Sequence, residues 1–162
     1  MKRKTLDDRI EQYEISKAIH SWKRSSYKAK NTLKKRVANI ITKKHSLFIT
    51  FTIAPKNYGL DLNTYIRKAK EALSPASLYI ANEDYGKDKG RYHIHALASF
   101  PERFDYTIKP NPMEAIWQYG IIQYEPIHTP NHEAIANYMN KLSAHATKDT
   151  AHRIIYSRKR DV

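Results

Sequence analysis

An abrupt change of pattern at Ser46 constrains the fold of this chain more than any other feature. The first 45 residues contain no Gly and no Pro, and apolar residues recur there at helical spacing in two stretches, the second running from Tyr27 to Lys43. From Ser46 onward, β-branched and aromatic residues fill short segments that end at turn residues, as in SLFITFTIAP. The sequence therefore predicts two basic helices followed by a chain rich in strands.

The pattern after Ser46 alternates strands with helices. We predict an α+β fold, an antiparallel sheet of about five strands that includes an H-x-H strand, with helices covering one face of it. The length of 162 residues suits one hydrophobic core. We divide the chain into a basic helical extension, residues 1–45, and a sandwich domain, residues 46–162. The predicted strands start at 46, 77, 91, 119 and 152, and the predicted helices cover 61–73, 112–118 and 131–147, the last with Asn131 as its N-cap.

Charge indicates the class of partner. Lys and Arg total 29 against 16 Asp and Glu, which gives a net charge of +13 and a pI near 9.8. A small domain this basic is typical of proteins that bind nucleic acid. The basic helices favour two interpretations equally, a DNA-gripping arm or solvated faces of helices packed on the core. The cations that we expect to contact DNA are Lys34, Lys35, Arg36, Arg91 and Lys148.

Composition also excludes several classes of protein. The chain has no Cys, so it forms neither a disulfide framework nor a thiolate zinc site. It has no apolar run near the about 18 residues that a membrane span needs, and its N-terminus lacks the apolar stretch of a signal peptide. We therefore expect a cytoplasmic protein of a bacterial, archaeal or virus-infected cell, with no membrane partner.

A pair of histidines in one predicted strand is the strongest local signal of chemistry. Side chains alternate along a strand, so His93 and His95 project from the same face and lie close enough to share a divalent metal ion. Such a site needs a third ligand, and Glu83 and Asp84 end the preceding strand. Histidine pairs on strands are also often structural, so the pair needs support from elsewhere in the chain.

That support comes from a predicted helix near the end of the chain. Tyr138 and Lys141 are three residues apart and therefore lie on one helical face. A tyrosine hydroxyl, with a pKa of about 10, is a poor nucleophile unless a nearby cation or metal assists it. With 12 tyrosines in the chain, ordinary packing is the alternative for this residue.

In this order, FITFT (48–52), a carboxylate before RYHIHAL (91–97), and ANYMNKL (136–142) resemble the three motifs of the HUH-endonuclease superfamily. The segment is similar to the single-tyrosine replication initiators of small phages, plasmids and single-stranded DNA viruses, over about residues 46 to 148. The resemblance implies a ferredoxin-like HUH sandwich and an endonuclease that nicks and rejoins single-stranded DNA to start rolling-circle replication.

The resemblance also implies roles for single residues. His93 and His95 would bind Mn²⁺ or Mg²⁺, Tyr138 would become linked to the DNA 5′ end, and Lys141 would match the motif lysine. The third ligand of the family is usually a glutamate directly before Tyr-Gly, and Asp84 holds that position here. We therefore favour Asp84 and keep Glu83 as its rival.

Other functions stay open at this point. A basic α+β sandwich also suits a non-enzymatic protein that binds single-stranded nucleic acid, and a one-tyrosine transposase or relaxase shares the chemistry. Since the resemblance includes no helicase domain, we expect a host helicase or another separate helicase as a partner besides single-stranded DNA.

Overall fold

The computed structural model describes residues 31–84, 92–146 and 154–156. The strands are β1 (Ser46–Thr52), β2 (Leu78–Asp84), β3 (His93–Ser99), β4 (Ile122–Pro126) and β5 (Ile154–Tyr156). The helices are α1, described over residues 31–41, α2 (Leu62–Ala72), α3 (Pro112–Ile116) and α4 (His132–Ala146). Single 3₁₀ turns cover Pro55–Asn57 and Thr129–Asn131. No helix among these residues is long and apolar enough to cross a bilayer.

The strands form one sheet in the order β4-β1-β3-β2-β5, and every neighbouring pair is antiparallel. Four strands of five to seven residues make up its body, and β5 adds three residues at one edge. The predicted α+β fold with an antiparallel sheet is therefore confirmed. Since β1 and β3 are inner strands, side chains on them are flanked by other strands on both sides.

Helices cover both faces of this sheet, so the expectation that they cover only one was wrong. On one face α2 and α3 bury a core that includes Ile49, Phe51 and Tyr65. On the other face α1 and α4 bury a second core that includes Ile80 and Leu97. The reason is in the strands themselves: apolar side chains project from both faces of the sheet, and each face must be removed from water.

The described part of α1 belongs to that second core. Leu33, Val37 and Ile40 are only 1%, 1% and 2% exposed and pack with Ile135 and Met139 of α4. Its cations lie on the solvent side of the helix, a set that is exposed throughout and consists of Lys34, Lys35 and Arg36. This part of the basic extension therefore combines both interpretations, because one face packs on the sheet while the other presents positive charge.

The start of α4 is tied to the edge of the sheet through Asn131. This residue precedes the helix, as predicted, but its side-chain oxygen accepts from the His128 backbone amide at 2.9 Å instead of from a helix amide. Its amide nitrogen donates to Glu125 at 3.2 Å and to the Pro126 carbonyl at 3.3 Å. These bonds fix the point at which the chain leaves β4 and enters α4.

Gly120 holds the C-terminal end of β1 in place. The backbone amides of Thr52 and Ala54 donate to the carbonyls of Ile121 and Tyr119, at 2.9 and 2.8 Å. The two segments run so close that a Cβ on Gly120 would lie 1.9 Å from the Thr52 carbonyl oxygen. Only glycine permits this approach, because the atoms it would meet belong to the backbone.

Replacing Gly120 with Ala is expected to lower the free energy of unfolding by about 3 kcal/mol, the upper range for overpacking, since backbone cannot rotate away. Urea denaturation measures the change. Gly59→Ala is the matched control: a Cβ there meets nothing within 4 Å, so its stability should stay the same or rise by about 0.5 kcal/mol. Equal unfolding midpoints for the two variants would contradict the close approach at Gly120.

Candidate active site

Regular pairing of three strands assembles the polar residues of the site. His95 of β3 lies between Thr50 of β1 and Asn82 of β2. One step of the pleat away, His93 lies between Thr52 and Asp84. Because side chains alternate along each strand, all six project from one face of the sheet, the face that α1 and α4 cover. We call these six residues the histidine face.

The two candidate carboxylates lie on opposite faces. Asp84 is on the histidine face, and its Oδ2 is 3.4 Å from His95 Nε2. Glu83 is 1% exposed on the other face, where its Oε1 accepts a hydrogen bond of 2.6 Å from the Tyr92 hydroxyl. The pairing of β2 with β3 is regular from Leu78 to Asp84, so no bulge moves Glu83 across. Asp84 is therefore the carboxylate placed beside the histidines.

A threonine hydroxyl contacts each imidazole on its inner nitrogen. Thr50 Oγ1 lies 3.1 Å from His95 Nδ1, and Thr52 Oγ1 lies 3.3 Å from His93 Nδ1. Phe48 stacks on the His95 ring, with the two ring centroids 5.6 Å apart. These contacts fix the orientation of the rings and leave Nε2 as the nitrogen of each ring that takes no threonine.

Helix α4 brings Tyr138 onto the same face. Its hydroxyl donates to Asp84 Oδ2 at 2.9 Å and lies 3.1 Å from His95 Nε2. The edge of its ring meets His95 at a centroid distance of 5.3 Å and Phe48 at 5.9 Å. Since a phenol has one proton and gives it to Asp84, His95 makes its contact by donating Nε2–H to the phenolic oxygen.

The surroundings keep both rings neutral. Burial lowers the pKa of His95, and the nearby His93 lowers it further, against the opposing effect of Asp84. Burial also raises the pKa of Tyr138, and its hydrogen bond to Asp84 and the charge of that carboxylate add to the rise. Tyr138 is therefore a neutral phenol at pH 7 in this arrangement, and it becomes a good nucleophile only with added positive charge.

The donor set fits a divalent metal by its chemistry. Two imidazoles and a carboxylate on one face are ligands that Mn²⁺ and related ions accept, and a hydroxyl on the other imidazole nitrogen is the usual support for such a ligand. In the arrangement described, no three His, Asp or Glu side chains of residues 31–84, 92–146 and 154–156 are gathered closely enough to hold an ion. The Tyr138 hydroxyl instead occupies the contacts of Asp84 and His95.

The remaining candidates are not brought to this face. Lys141 lies one turn after Tyr138 in α4, but its side chain falls outside the described part of the chain, as do residues Arg91 and Lys148. The other three cations, Lys34, Lys35 and Arg36, lie on the outer side of α1.

Residues 46–143 match the family model of the replication-associated protein ORF2. The chain belongs to this family. The match covers more than half of the sequence, from the first residue of β1 into α4, and thus includes every residue of the histidine face as well as Tyr138. Neither the curated proteins nor the solved structures include a significant match.

Two residues of the site in this member of the ORF2 replication-associated family were missed by sequence reasoning. Asn82 is 2% exposed, and its Nδ2 donates to the Met139 carbonyl in α4 at 3.4 Å, one residue from Tyr138. Phe48 contacts both His95 and Tyr138. The signal was present: Asn82 is two residues from Asp84 and Phe48 is two from Thr50, so alternation places both on the histidine face.

The threonine contacts can be tested with an isosteric change. Thr50→Val removes the hydroxyl on His95 but keeps the branched shape that a strand prefers, so folding should survive. Loss of such a supporting hydrogen bond typically costs ~10- to 100-fold in metal affinity or activity, and we expect a loss of DNA nicking in that range. Thr64→Val in α2, behind the opposite face, is the control and should nick normally. Normal nicking by Thr50→Val would show that the hydroxyl has no part in the reaction.

Proposed function

We propose that this chain is a replication-initiation endonuclease that nicks and rejoins single-stranded DNA through a tyrosine and so starts rolling-circle replication. The observation that carries the proposal is the position of Tyr138, whose hydroxyl lies within hydrogen-bonding distance of both Asp84 and His95. Membership of the ORF2 replication-associated family supports a role in DNA replication. The net charge of +13 suits a polyanionic substrate.

The proposed reaction is a phosphoryl transfer. The Tyr138 oxygen attacks the scissile phosphorus, a bond between the tyrosine and phosphorus forms, and the bond to the 3′ oxygen breaks. The phenol loses its proton and the leaving 3′ oxygen gains one, so no net proton is consumed. The products are a DNA strand with a free 3′ hydroxyl and a strand whose 5′ phosphate is linked to the protein. Attack by a 3′ hydroxyl reverses the reaction and rejoins DNA.

His93, His95 and Asp84 are the residues that would hold Mn²⁺ or Mg²⁺. Such an ion supplies positive charge that polarises the phosphate and offsets the charge that develops on it. For His95 to ligate through Nε2, its ring proton must move to Nδ1, and Thr50 can accept there as well as it can donate. Tyr138 would then give up its hydrogen bonds to His95 and Asp84 and be free to approach the substrate.

The cations of α1 would bind DNA outside the reacting centre. Lys34, Lys35 and Arg36 are exposed on a helix whose opposite side packs near α4. Contacts of this kind hold the phosphate backbone regardless of sequence and weaken with salt. They position the strand, while the histidine face and Tyr138 carry the chemistry.

A labelled single strand from the replicon that encodes the gene tests the proposal. Incubated with the protein and Mn²⁺, a 3′-labelled strand should become attached to protein on a denaturing gel, and a 5′-labelled strand should yield a shorter free fragment. Tight binding without cleavage would favour a non-enzymatic nucleic-acid-binding protein instead. Cleavage without attached label would exclude tyrosine as nucleophile. A transposase or relaxase would give the same products but would act on a strand from a different element.

A further inference from the structure

A second candidate site lies at the other end of β1. A pocket of about 250 Å³ is present there, bounded by the residues that lead into β1, by the end of β4 and by the loop after β3. The residues of its lining that matter here are Lys44, Ser46, Arg103, Phe104, Tyr106 and Ile127. Ser46 and Thr52 are the two ends of β1, so the pocket and the histidine face are ~10 to 20 Å apart at the usual rise of a strand.

The aromatic walls of this pocket are already fixed. Phe104 stacks on Phe100, with ring centroids 4.9 Å apart, and Tyr106 stacks on Tyr124 at 5.3 Å. The rings of Phe104 and Tyr106 are only half-buried. Because packing holds them, binding a flat ligand against them costs little conformational entropy.

The polar part of the lining is cationic. Lys44 and Arg103 are exposed, and no Asp or Glu is among the described residues that line the pocket. The nearby Asp105 is occupied with Thr107, which donates to it from its backbone amide at 2.9 Å and from its hydroxyl at 2.5 Å. The pocket thus offers aromatic surface and positive charge together, the combination that binds unpaired nucleotides.

Size limits the ligand to one unit. A cavity of ~150 Å³ is enough for benzene, so about 250 Å³ accommodates a single heterocyclic base but not two. We infer that this pocket binds one unpaired base of the single-stranded DNA, with Lys44 and Arg103 on the adjoining phosphate. The inference rests on the proposed function, since it takes the substrate to be single-stranded DNA. It would give the protein a second grip on the strand, away from the scissile phosphate.

Photo-crosslinking tests for the base directly. The probes are single-stranded DNAs of one sequence around the nick, each with 5-iododeoxyuridine at a different position and each incubated with the full chain. We expect one position, separated from the nick, to crosslink to the segment containing Phe104 and Tyr106. If no position crosslinks to this segment while the DNA still becomes attached to Tyr138, the pocket inference is wrong and the proposed function stands. If no attachment to tyrosine occurs, the proposed function fails.

Charge variants test the phosphate contact. Lys44→Ala with Arg103→Ala should weaken binding of the same unmodified strand about tenfold at low salt and reduce the salt slope by about two, one for each lost contact. The matched control is Lys56→Ala with Arg67→Ala, which removes one exposed Lys and one exposed Arg away from the pocket. An abasic nucleotide at the crosslinking position should weaken wild-type binding about five- to tenfold, since a stacked base is lost. Equal effects of the two double variants, or no effect of the abasic nucleotide, would overturn the inference.

Discussion

The Tyr138→Phe protein is expected to bind single-stranded DNA normally and to form no covalent adduct with it. The change removes only the hydroxyl, so the edge contacts of the ring with His95 and Phe48 remain. Asp84 and His95 lose one hydrogen-bond partner, which should change stability by about 1 kcal/mol. Removing a nucleophile from a group that acts as a unit can cost ~10⁶-fold in rate, so the adduct should fall below detection on a denaturing gel.

Tyr124→Phe is the matched control for this experiment. Tyr124 is also half-buried and its hydroxyl is also hydrogen-bonded, to Asn111 at 3.1 Å, but it lies in β4 away from the histidine face. Its adduct should form at the wild-type rate. An adduct that persists in Tyr138→Phe would move the nucleophile elsewhere, and mass spectrometry of the DNA-linked peptide would identify it. Tyr156 in β5 is the next residue to examine.

Removal of the metal is expected to abolish nicking with little loss of DNA binding. EDTA should stop cleavage and Mn²⁺ or Mg²⁺ should restore it, because the neutral Tyr138 phenol needs added positive charge near the phosphate. His95→Ala should reduce nicking by at least ~100-fold, more than the loss of a residue that only supports a ligand. Binding should survive, since it rests mainly on Lys and Arg contacts to phosphates. A fluorescence binding assay beside the nicking assay separates the two effects.

Three further variants locate the ligands. His128→Ala, an exposed histidine in the loop before α4, should nick as wild type does. Asp84→Asn should lose at least ~10-fold in nicking, whereas Glu83→Gln should retain it, because Glu83 contacts Tyr92 on the opposite face. Robust nicking by His95→Ala in EDTA would remove the metal from the reaction. A greater loss in Glu83→Gln than in Asp84→Asn would contradict the placement of Asp84 beside the histidines.

The parts of this site that the sequence predicts are those that depend on local periodicity. Alternation along a strand places His93 and His95 together, and helical spacing makes Tyr138 part of an amphipathic helix. What the sequence does not determine is which strands are neighbours, because that order depends on pairing between distant segments. The position of β3 between β1 and β2 brings Thr50 and Asn82 to opposite sides of His95, and neither contact follows from spacing alone.

The covering of the second face shows the same limit from another side. Leu78, Ile80 and Leu97 make the histidine face apolar at one end, a pattern that requires helices there and that can be recognised in the strands once their faces are assigned. The choice between Asp84 and Glu83 likewise depended on whether β2 contains a bulge. Only the regular pairing of β2 with β3 decides it.

The cross-strand rows have a consequence for how sequences of this kind can diverge. An inserted or deleted residue inside β1, β2 or β3 would turn all later side chains of that strand to the opposite face, so it would remove several groups from the site in one step. Segments between the strands carry no such constraint, since the ladders fix the alignment independently of connection length. Length variation among descendants should therefore accumulate in the connections, where it can alter which DNA is bound while the reacting groups remain aligned.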